Sequence, residues 1–140
     1  MDVTRQPRAT HRGPAEGCTG VVWMDEVAAN EAPSRVHAVV VHFAPGARTA
    51  WHRHPLGQVI HVIEGEGRAQ AADGPVEVLR AGDTVHFRPG ERHWHGAAPH
   101  RSMSHVAIHE ADDQGVTITF EDLVSDQEYT AGDPGSPPAG

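Results

Sequence analysis

The sequence is poor in cysteine, in aromatic residues, in basic residues and in long apolar runs. Cys18 is the only cysteine among 140 residues, so no intrachain disulfide can form, as is typical of proteins from a reducing compartment. No apolar run approaches the roughly 18 residues of a membrane-spanning helix, and the first twenty residues lack the apolar core of a secretory signal. A net charge of -8 argues against nucleic-acid binding. We expect a cytoplasmic protein that contacts neither membranes nor nucleic acid.

Histidine, by contrast, is in clear excess, with 12 copies in a chain whose length fits a single domain. Residues 1–19 mix Arg, Pro, Gly and Thr without periodicity, so we expect a flexible segment there, in which Cys18 is interpreted as an incidental residue. Residues 131–140 are rich in Pro, Gly and Ser, which predicts a disordered tail. The folded domain is therefore expected over residues 20–130.

Short β-branched runs separated by Gly and Pro predict an all-β sandwich or barrel. The predicted strands cover residues 35–43, 58–63, 67–72, 76–80, 84–87, 103–109 and 116–120, with an early edge strand at residues 22–24. The break after the second of these strands rests on the pair Glu64-Gly65. Residues 121–129 alone have a helical pattern, which predicts one short helix near the C-terminus.

Two histidines lie one residue apart in the stretch WHRHPLGQ, residues 51–58. Side chains two positions apart share one face of a strand, so His52 and His54 present two imidazoles to one point in space. His93 follows the turn at Pro89-Gly90 and supplies a third imidazole. Such a histidine pair also occurs on surfaces and in satisfied cores, so the residues around it have to decide whether a metal is bound.

Glycines at fixed offsets surround these histidines. The first set reads Gly46-x5-His52-x-His54-x3-Gln58-x6-Gly65, and the second contains Gly82, Gly90 and His93. Over roughly residues 35–110 this spacing resembles the two motifs of the cupins, G-x5-H-x-H-x3,4-E-x6-G and G-x5-P-x-G-x2-H-x3-N. The resemblance implies a cupin (jelly-roll) β-barrel that holds a divalent metal ion.

The chain departs from those motifs at three positions. Arg88 and Ala97 stand where the second motif has proline and asparagine, and Gln58 stands where the first has a glutamate ligand. The ligand set that the resemblance implies is therefore neutral and consists of His52, His54, Gln58 and His93. An ion held without a carboxylate keeps its full charge and is a stronger Lewis acid. Imidazole nitrogen and amide oxygen suit Mn, Fe, Ni, Cu and Zn.

Two longer strings, GARTAWHRHPLGQ (residues 46–58) and HWHGAAP (residues 93–99), together with SMSHVAIHE (residues 102–110), carry a closer resemblance. They look like the manganese-dependent cupin hydroxynitrile lyases and the cupins associated with carboxymuconolactone decarboxylase. The resemblance implies manganese before the other metals. It also implies reversible cleavage of a cyanohydrin, such as mandelonitrile, into an aldehyde and HCN.

Three further histidines are candidates for proton transfer. Strand parity places His95 on the face of His93, and His105 and His109 on one face of the next strand, around a cavity for a compact substrate. The resemblance implies that His95 and His105 move the proton of a metal-activated hydroxyl, whereas His109 stands where the lyases often carry glutamine. An orienting hydrogen bond to a ligand is an equally compatible role for His95.

Other functions and contacts remain open at this point. A dioxygenase with a redox metal and a non-catalytic protein that binds a metal or small molecule are the alternatives to a lyase. His42, His61 and His86 fall on the opposite parity and are expected on the surface or between sheets. Trp51 and Trp94 point away from the ligands, into core packing or a subunit interface. Exposed strand edges favour a homodimer or homotetramer.

Overall fold

The structure of the chain is a computed structural model that describes residues 1–5, 9–29 and 31–134. The described residues form twelve strands and one short helix. The strands are β1 (Thr10–Arg12), β2 (Cys18–Thr19), β3 (Val22–Ala29), β4 (Val36–Phe43), β5 (Arg48–Thr49), β6 (His52–Arg53), β7 (Gln58–Ala71), β8 (Glu77–Arg80), β9 (Thr84–Phe87), β10 (His93–Ala97), β11 (Met103–Glu110) and β12 (Thr119–Phe120), and the helix is α1 (Asp126–Tyr129).

The strands form one curled antiparallel sheet with two facing halves. The first half has the order β1-β3-β4-β11-β7, with β9 on the far side of β7. The second half contains β8, β7, β10, β5 and β2, with β6 beside β10 and β12 beside β6. Alternate side chains of both halves point into the space between them, where Val41, Phe43, Ile60 and Met103 form the main core. This arrangement confirms the predicted all-β barrel with one short C-terminal helix.

Strand β7 belongs to both halves because it runs without interruption through Glu64-Gly65, where the sequence predicts a turn. Gly65 has a φ of 84° and lies beside the register shift between Ser104 and His105 of β11. A side chain at position 65 would collide with the carbonyl oxygen of Ser102. Gly65 therefore bends a continuous strand from one half of the sheet to the other, and the predicted break is wrong.

The segment after β12 covers the outside of the second half. Only four of the predicted helical residues 121–129 are helical, because Ser125 and Glu128 form a capping box that starts α1 at Asp126. Tyr129 and Val124 pack on Trp51 and Trp94 in a second core cluster. The two tryptophans are thus buried in this core rather than at an exposed surface.

Both chain ends contain ordered backbone where the sequence predicts little. In residues 1–19, β1 pairs with β3 and β2 pairs with β5, because unpaired edges of the sheet are free to accept them. Residues 131–133 form turns, and the rest of the predicted tail from residue 135 lies outside the described residues. The domain boundaries remain a prediction. Within the described ranges, no helix has the length and apolar character needed to cross a bilayer.

Candidate metal centre

The predicted metal ligands lie together on the inner face of the barrel. His52 is on β6, His54 follows directly, Gln58 opens β7, and His93 opens β10. Their exposed fractions are 1%, 2%, 5% and 0%. Antiparallel pairing places His93 opposite His52, so strand register rather than loop conformation brings these residues to one place.

Each of the three histidines is oriented by a backbone carbonyl group. The Nδ1 atoms of His52, His54 and His93 lie 2.8, 2.7 and 2.8 Å from the carbonyl oxygens of Ala50, Thr117 and Glu91. Because a carbonyl oxygen only accepts, Nδ1 must donate its proton in all three contacts. The lone pair is then on Nε2, the arrangement that metal-binding histidines usually have.

The imidazole rings converge. The ring centroids of His52 and His93 are 4.3 Å apart, those of His52 and His54 are 5.1 Å apart, and Oε1 of Gln58 lies 3.4 Å from Nε2 of His93. Nε2 of His54 is buried and has no hydrogen-bond partner among the described residues. A buried acceptor without a partner is costly, and a metal ion would satisfy it. These residues therefore fit a divalent metal.

Burial lowers the pKa of His52, His54 and His93 from 6.5 to about 3. Desolvation is the largest cause for each, because taking the charged form out of water is costly, and neighbouring histidines lower the pKa further. The three imidazoles are consequently neutral at physiological pH. Metal binding then needs no loss of a proton.

His95 forms a second possible donor set with two of the same residues. One nitrogen each of His52, His93 and His95 lie within 4.8 Å of one another, among the residues described. Unlike His52, His54 and His93, His95 has no backbone carbonyl as a hydrogen-bond partner of its ring. Its Nδ1 lies 3.0 Å from Nε2 of His105, and its Nε2 is buried without a hydrogen-bond partner in the described structure.

His105 and His109 occupy different positions around this group. His105 is fully buried behind His95, and desolvation lowers its pKa to about 3. His109 packs against His54, with ring centroids 4.8 Å apart, and stacks on His37 at 5.8 Å. All three predicted catalytic histidines thus line the same cavity, but only His95 is directly hydrogen-bonded to His105.

The cavity has a volume of about 260 Å³, and its lining combines polar and apolar side chains. The polar ones are five histidines, Gln58 and Thr49, and the apolar ones include Met24, Val39, Val41 and Ala107. None of the described residues that line it is an Arg, Asp or Glu. A cavity smaller than the usual 300–1,000 Å³ of drug-sized pockets suits a compact, uncharged ligand.

Two parts of this cavity are absent from the sequence-based prediction. The N-terminal residues Pro14, Gly17 and Cys18 line it, and Ile118 and Phe120 line it from the segment after β11. Burial, followed by the charge of Glu16, raises the pKa of Cys18 to about 11, so the thiol is protonated and is not a nucleophile. No local pattern marks these residues, since their position depends on pairing between strands that are distant in sequence.

The phenyl ring of Phe87 lies flat on the imidazole ring of His93, with centroids 3.6 Å apart and planes 9° apart. His42, His61 and His86 lie on the outer face, as predicted from parity: their neighbours in the first half of the sheet, Val41, Ile60 and Phe87, point inward. His42 contacts Ser104 and Asp25 there. These outer histidines take no part in the centre.

Comparison with known proteins agrees with this geometry. The chain is 47% identical over 122 residues to an (R)-mandelonitrile lyase of Granulicella tundricola, covering 87% of this chain and 92% of that one. A cupin-like protein of Thermotoga maritima has a similar structure, with a TM-score of 0.82, 32% identity and coverage of 96% and 99%. The polyketide cyclase RemF of Streptomyces resistomycificus shares the fold, with a TM-score of 0.71, 16% identity and coverage of 97% and 96%.

The sequence pattern of the cupin domain family matches residues 39–109. This range includes all four predicted ligands and also His95, His105 and His109. Sequence, fold and relatives agree, and the chain belongs to the cupin family.

Proposed function

We propose that the chain is a metal-dependent lyase that cleaves and forms cyanohydrins such as mandelonitrile. The observation that carries this proposal is the hydrogen-bonded pair His95 and His105, which lies beside His52 and His54 in a cavity whose described lining includes no Arg, Asp or Glu. The 47% identity to an (R)-mandelonitrile lyase supports the same chemistry.

His52, His54, Gln58 and His93 would hold the divalent ion, and manganese is the proposed metal, with Fe, Ni, Zn and Cu as alternatives. When bound, the ion supplies Lewis acidity towards the substrate hydroxyl and lowers the hydroxyl pKa. Because the four ligands are neutral, none of them offsets the positive charge of the ion. The backbone carbonyls of Ala50, Thr117 and Glu91 keep the histidine Nε2 atoms directed at it.

His95 is the proposed base. In the proposed tautomer, Nδ1 of His95 donates to Nε2 of His105, and Nε2 of His95 keeps a free lone pair that accepts the hydroxyl proton. His105 therefore acts through His95 and positions it.

The carbon–carbon bond then breaks as the carbonyl forms, and cyanide leaves with the bonding electron pair. Desolvation, and then the nearby His105, lowers the pKa of His95 well below 6.5. A protonated His95 therefore gives up its proton readily, and it returns the proton to cyanide to give HCN. Synthesis of the cyanohydrin follows the same steps in reverse.

The test combines metal analysis of the purified protein with mandelonitrile turnover between pH 4 and 7. We expect about one divalent ion per chain and release of benzaldehyde and HCN that stops when the metal is removed. Full metal occupancy without cleavage or synthesis would contradict a lyase. Iron as the main metal, with consumption of oxygen, would point to a dioxygenase instead.

We also propose that the chain is a cytoplasmic homodimer or homotetramer. Large apolar side chains are exposed on the outer face of the first half of the sheet, with Trp23 at 44% and Ile108 at 43%. Large apolar side chains that are exposed on one face of a sheet are typical of an interface between two copies of a protein. Light scattering that gave the mass of a single chain at all concentrations would contradict this assembly.

A further inference from the structure

We propose that the phenyl ring of Phe87 is part of the metal centre, where its face stabilises the metal-bound form of His93 and offsets part of the charge that no carboxylate ligand neutralises. The inference rests on His93 being a metal ligand, as in the proposed function, and not on the lyase reaction. Phe87 is a positioning residue in this role, because it acts on the ion through His93.

The position of Phe87 is set by the sheet rather than by a loop. Phe87 is the last residue of β9 and pairs with Gln58, the first residue of β7. Its ring lies on the imidazole of His93, the first residue of β10, and only 3% of Phe87 is exposed. Phe87 is therefore a buried neighbour of two of the four proposed ligands, and strand pairing holds it there.

The contact between the two rings is closer and flatter than aromatic pairs usually are. The centroids of Phe87 and His93 are 3.6 Å apart, and the ring planes differ by 9°. Because carbon atoms attract each other best at about 3.5–4.0 Å, the two rings must overlap almost completely. Two neutral aromatic rings prefer an offset or edge-to-face arrangement, with centroids about 4.5–7 Å apart. Attraction between neutral rings therefore does not favour this overlap.

Metal binding would make the overlap favourable. Nδ1 of His93 donates to the carbonyl of Glu91, 2.8 Å away, which leaves the lone pair of Nε2 for an ion. An imidazole that donates this lone pair loses electron density and carries part of the positive charge. The face of a phenyl ring is negative and attracts a cation within about 6 Å of its centroid. Because the four proposed ligands are neutral, the face of Phe87 supplies a negative potential that the ligands themselves do not.

Phe87 also fixes the plane of the His93 ring. The hydrogen bond to Glu91 sets the direction of Nδ1 but tolerates some tilt of the ring, because hydrogen bonds weaken steeply only below about 120°. A phenyl ring in van der Waals contact with one face of the imidazole does not tolerate that tilt, since the two rings would collide. The backbone carbonyl and the phenyl ring therefore restrain two different angles of the same ligand.

The test measures the affinity of metal-depleted protein for Mn²⁺ by competition with a chelator. Phe87→Leu keeps an apolar side chain but removes the aromatic face, and we expect the Kd to rise about tenfold. Phe87→Tyr keeps the face, and its Kd should stay within about twofold of wild type. Replacing Phe87 with monofluorinated and then trifluorinated phenylalanine changes its shape little but makes the face less negative, so the Kd should rise in that order. Leu79→Ala, in the same buried core cluster but on β8, is the matched control and should leave the Kd unchanged.

Equal affinities of wild type, Phe87→Leu and the fluorinated proteins would overturn the inference, and so would a wild-type protein that binds no divalent ion. A loss in Phe87→Leu without a trend across the fluorinated proteins would overturn it as well, because packing alone would then explain the loss. Turnover of mandelonitrile separates the inference from the proposed function. The expected trend in affinity without any cleavage would keep the role of Phe87 and remove the lyase, whereas cleavage with equal affinities would keep the lyase and remove that role.

Discussion

His95 could be either a metal ligand or the catalytic base. It lies close to both His52 and His93, which would allow it to bind the same ion, and it also bonds to His105. If His95 is the base, His95→Ala should lower kcat by roughly 10²–10⁴-fold and leave the metal content unchanged. Metal content and kcat are measured on the same preparations. Loss of the metal in this variant would place His95 among the ligands. His61→Ala, on the outer face, serves as the control.

Gln58 makes the proposed ligand set neutral, and its Oε1 lies 3.4 Å from Nε2 of His93. Gln58→Glu is nearly isosteric but adds a negative charge, which should hold the ion at least as tightly and weaken it as a Lewis acid. We expect full metal occupancy with kcat reduced on the order of tenfold. Gln114→Glu adds the same charge in an exposed loop and should change neither quantity. Unaltered turnover in Gln58→Glu would mean that the neutrality of the ligand set has no catalytic role.

Strand parity is sufficient to predict which histidines face inward, because it depends only on alternation along the chain. His52, His54, His95, His105 and His109 accordingly line one cavity together with Gln58, and His93 lies against His52. Parity does not reveal that His95 bonds to His105, or that Thr117 orients His54, because alternation along one strand does not say which residues of other segments lie opposite it. The missing information is therefore the register of pairing.

Helix α1 is too short to be stable alone, and its packing on the second half of the sheet holds it in place. The ring of Tyr129 lies between two guanidinium groups, 4.5 Å from that of Arg48 and 5.0 Å from that of Arg68. Its hydroxyl donates to the carbonyl of Ala97 on β10. Tyr129 thus connects α1 to the strand that carries His93.

These contacts predict a graded response to substitution. Tyr129→Phe loses one buried hydrogen bond and should lower the free energy of unfolding by about 1 kcal/mol. Tyr129→Ala also removes the ring and should cost about 3–5 kcal/mol. Urea unfolding measures both values. Leu123→Ala, an exposed position in the same segment, should differ little from wild type, and an equally small loss for Tyr129→Ala would show that α1 is not anchored through this ring.

The sequence predicts strands better than it predicts where they end. Gly65 predicts a turn, yet it lies within the continuous strand β7. Glycine is needed there because Ser102 packs against it in the folded sheet, and a side chain would collide with that residue. The N-terminal strands have no periodic pattern of their own and form only because β3 and β5 offer free edges. Local composition predicts neither the close contact at Gly65 nor the free edges that pair with the N-terminal strands.

The buried histidines together determine how the folded molecule responds to acid. His52, His54, His93 and His105 have pKa values of about 3 when folded and near 6.5 when unfolded. Between these values the unfolded chain binds more protons, so stability is full above pH 6.5 and falls as the pH decreases towards 3. Each histidine contributes a slope of up to about 1.4 kcal/mol per pH unit.

Metal-free protein should therefore have a urea midpoint that is nearly constant above about pH 7 and decreases as the pH falls from about 6.5 to 5. The variant His86→Gln, which lacks an exposed histidine of the outer face, should show the same dependence on pH. A midpoint that did not change over this range would mean that the four histidines are not held neutral in the folded protein.

The three carbonyl groups that orient His52, His54 and His93 belong to the main chain, so no side-chain substitution can delete them. The direction of these histidines is therefore set by the backbone, whereas the apolar lining of the cavity consists of side chains that can change one at a time. Substitution of Val39 or Phe120 can consequently alter the shape of the cavity while the three histidine Nε2 atoms keep their direction. The fold separates what evolution must preserve from what it is free to vary.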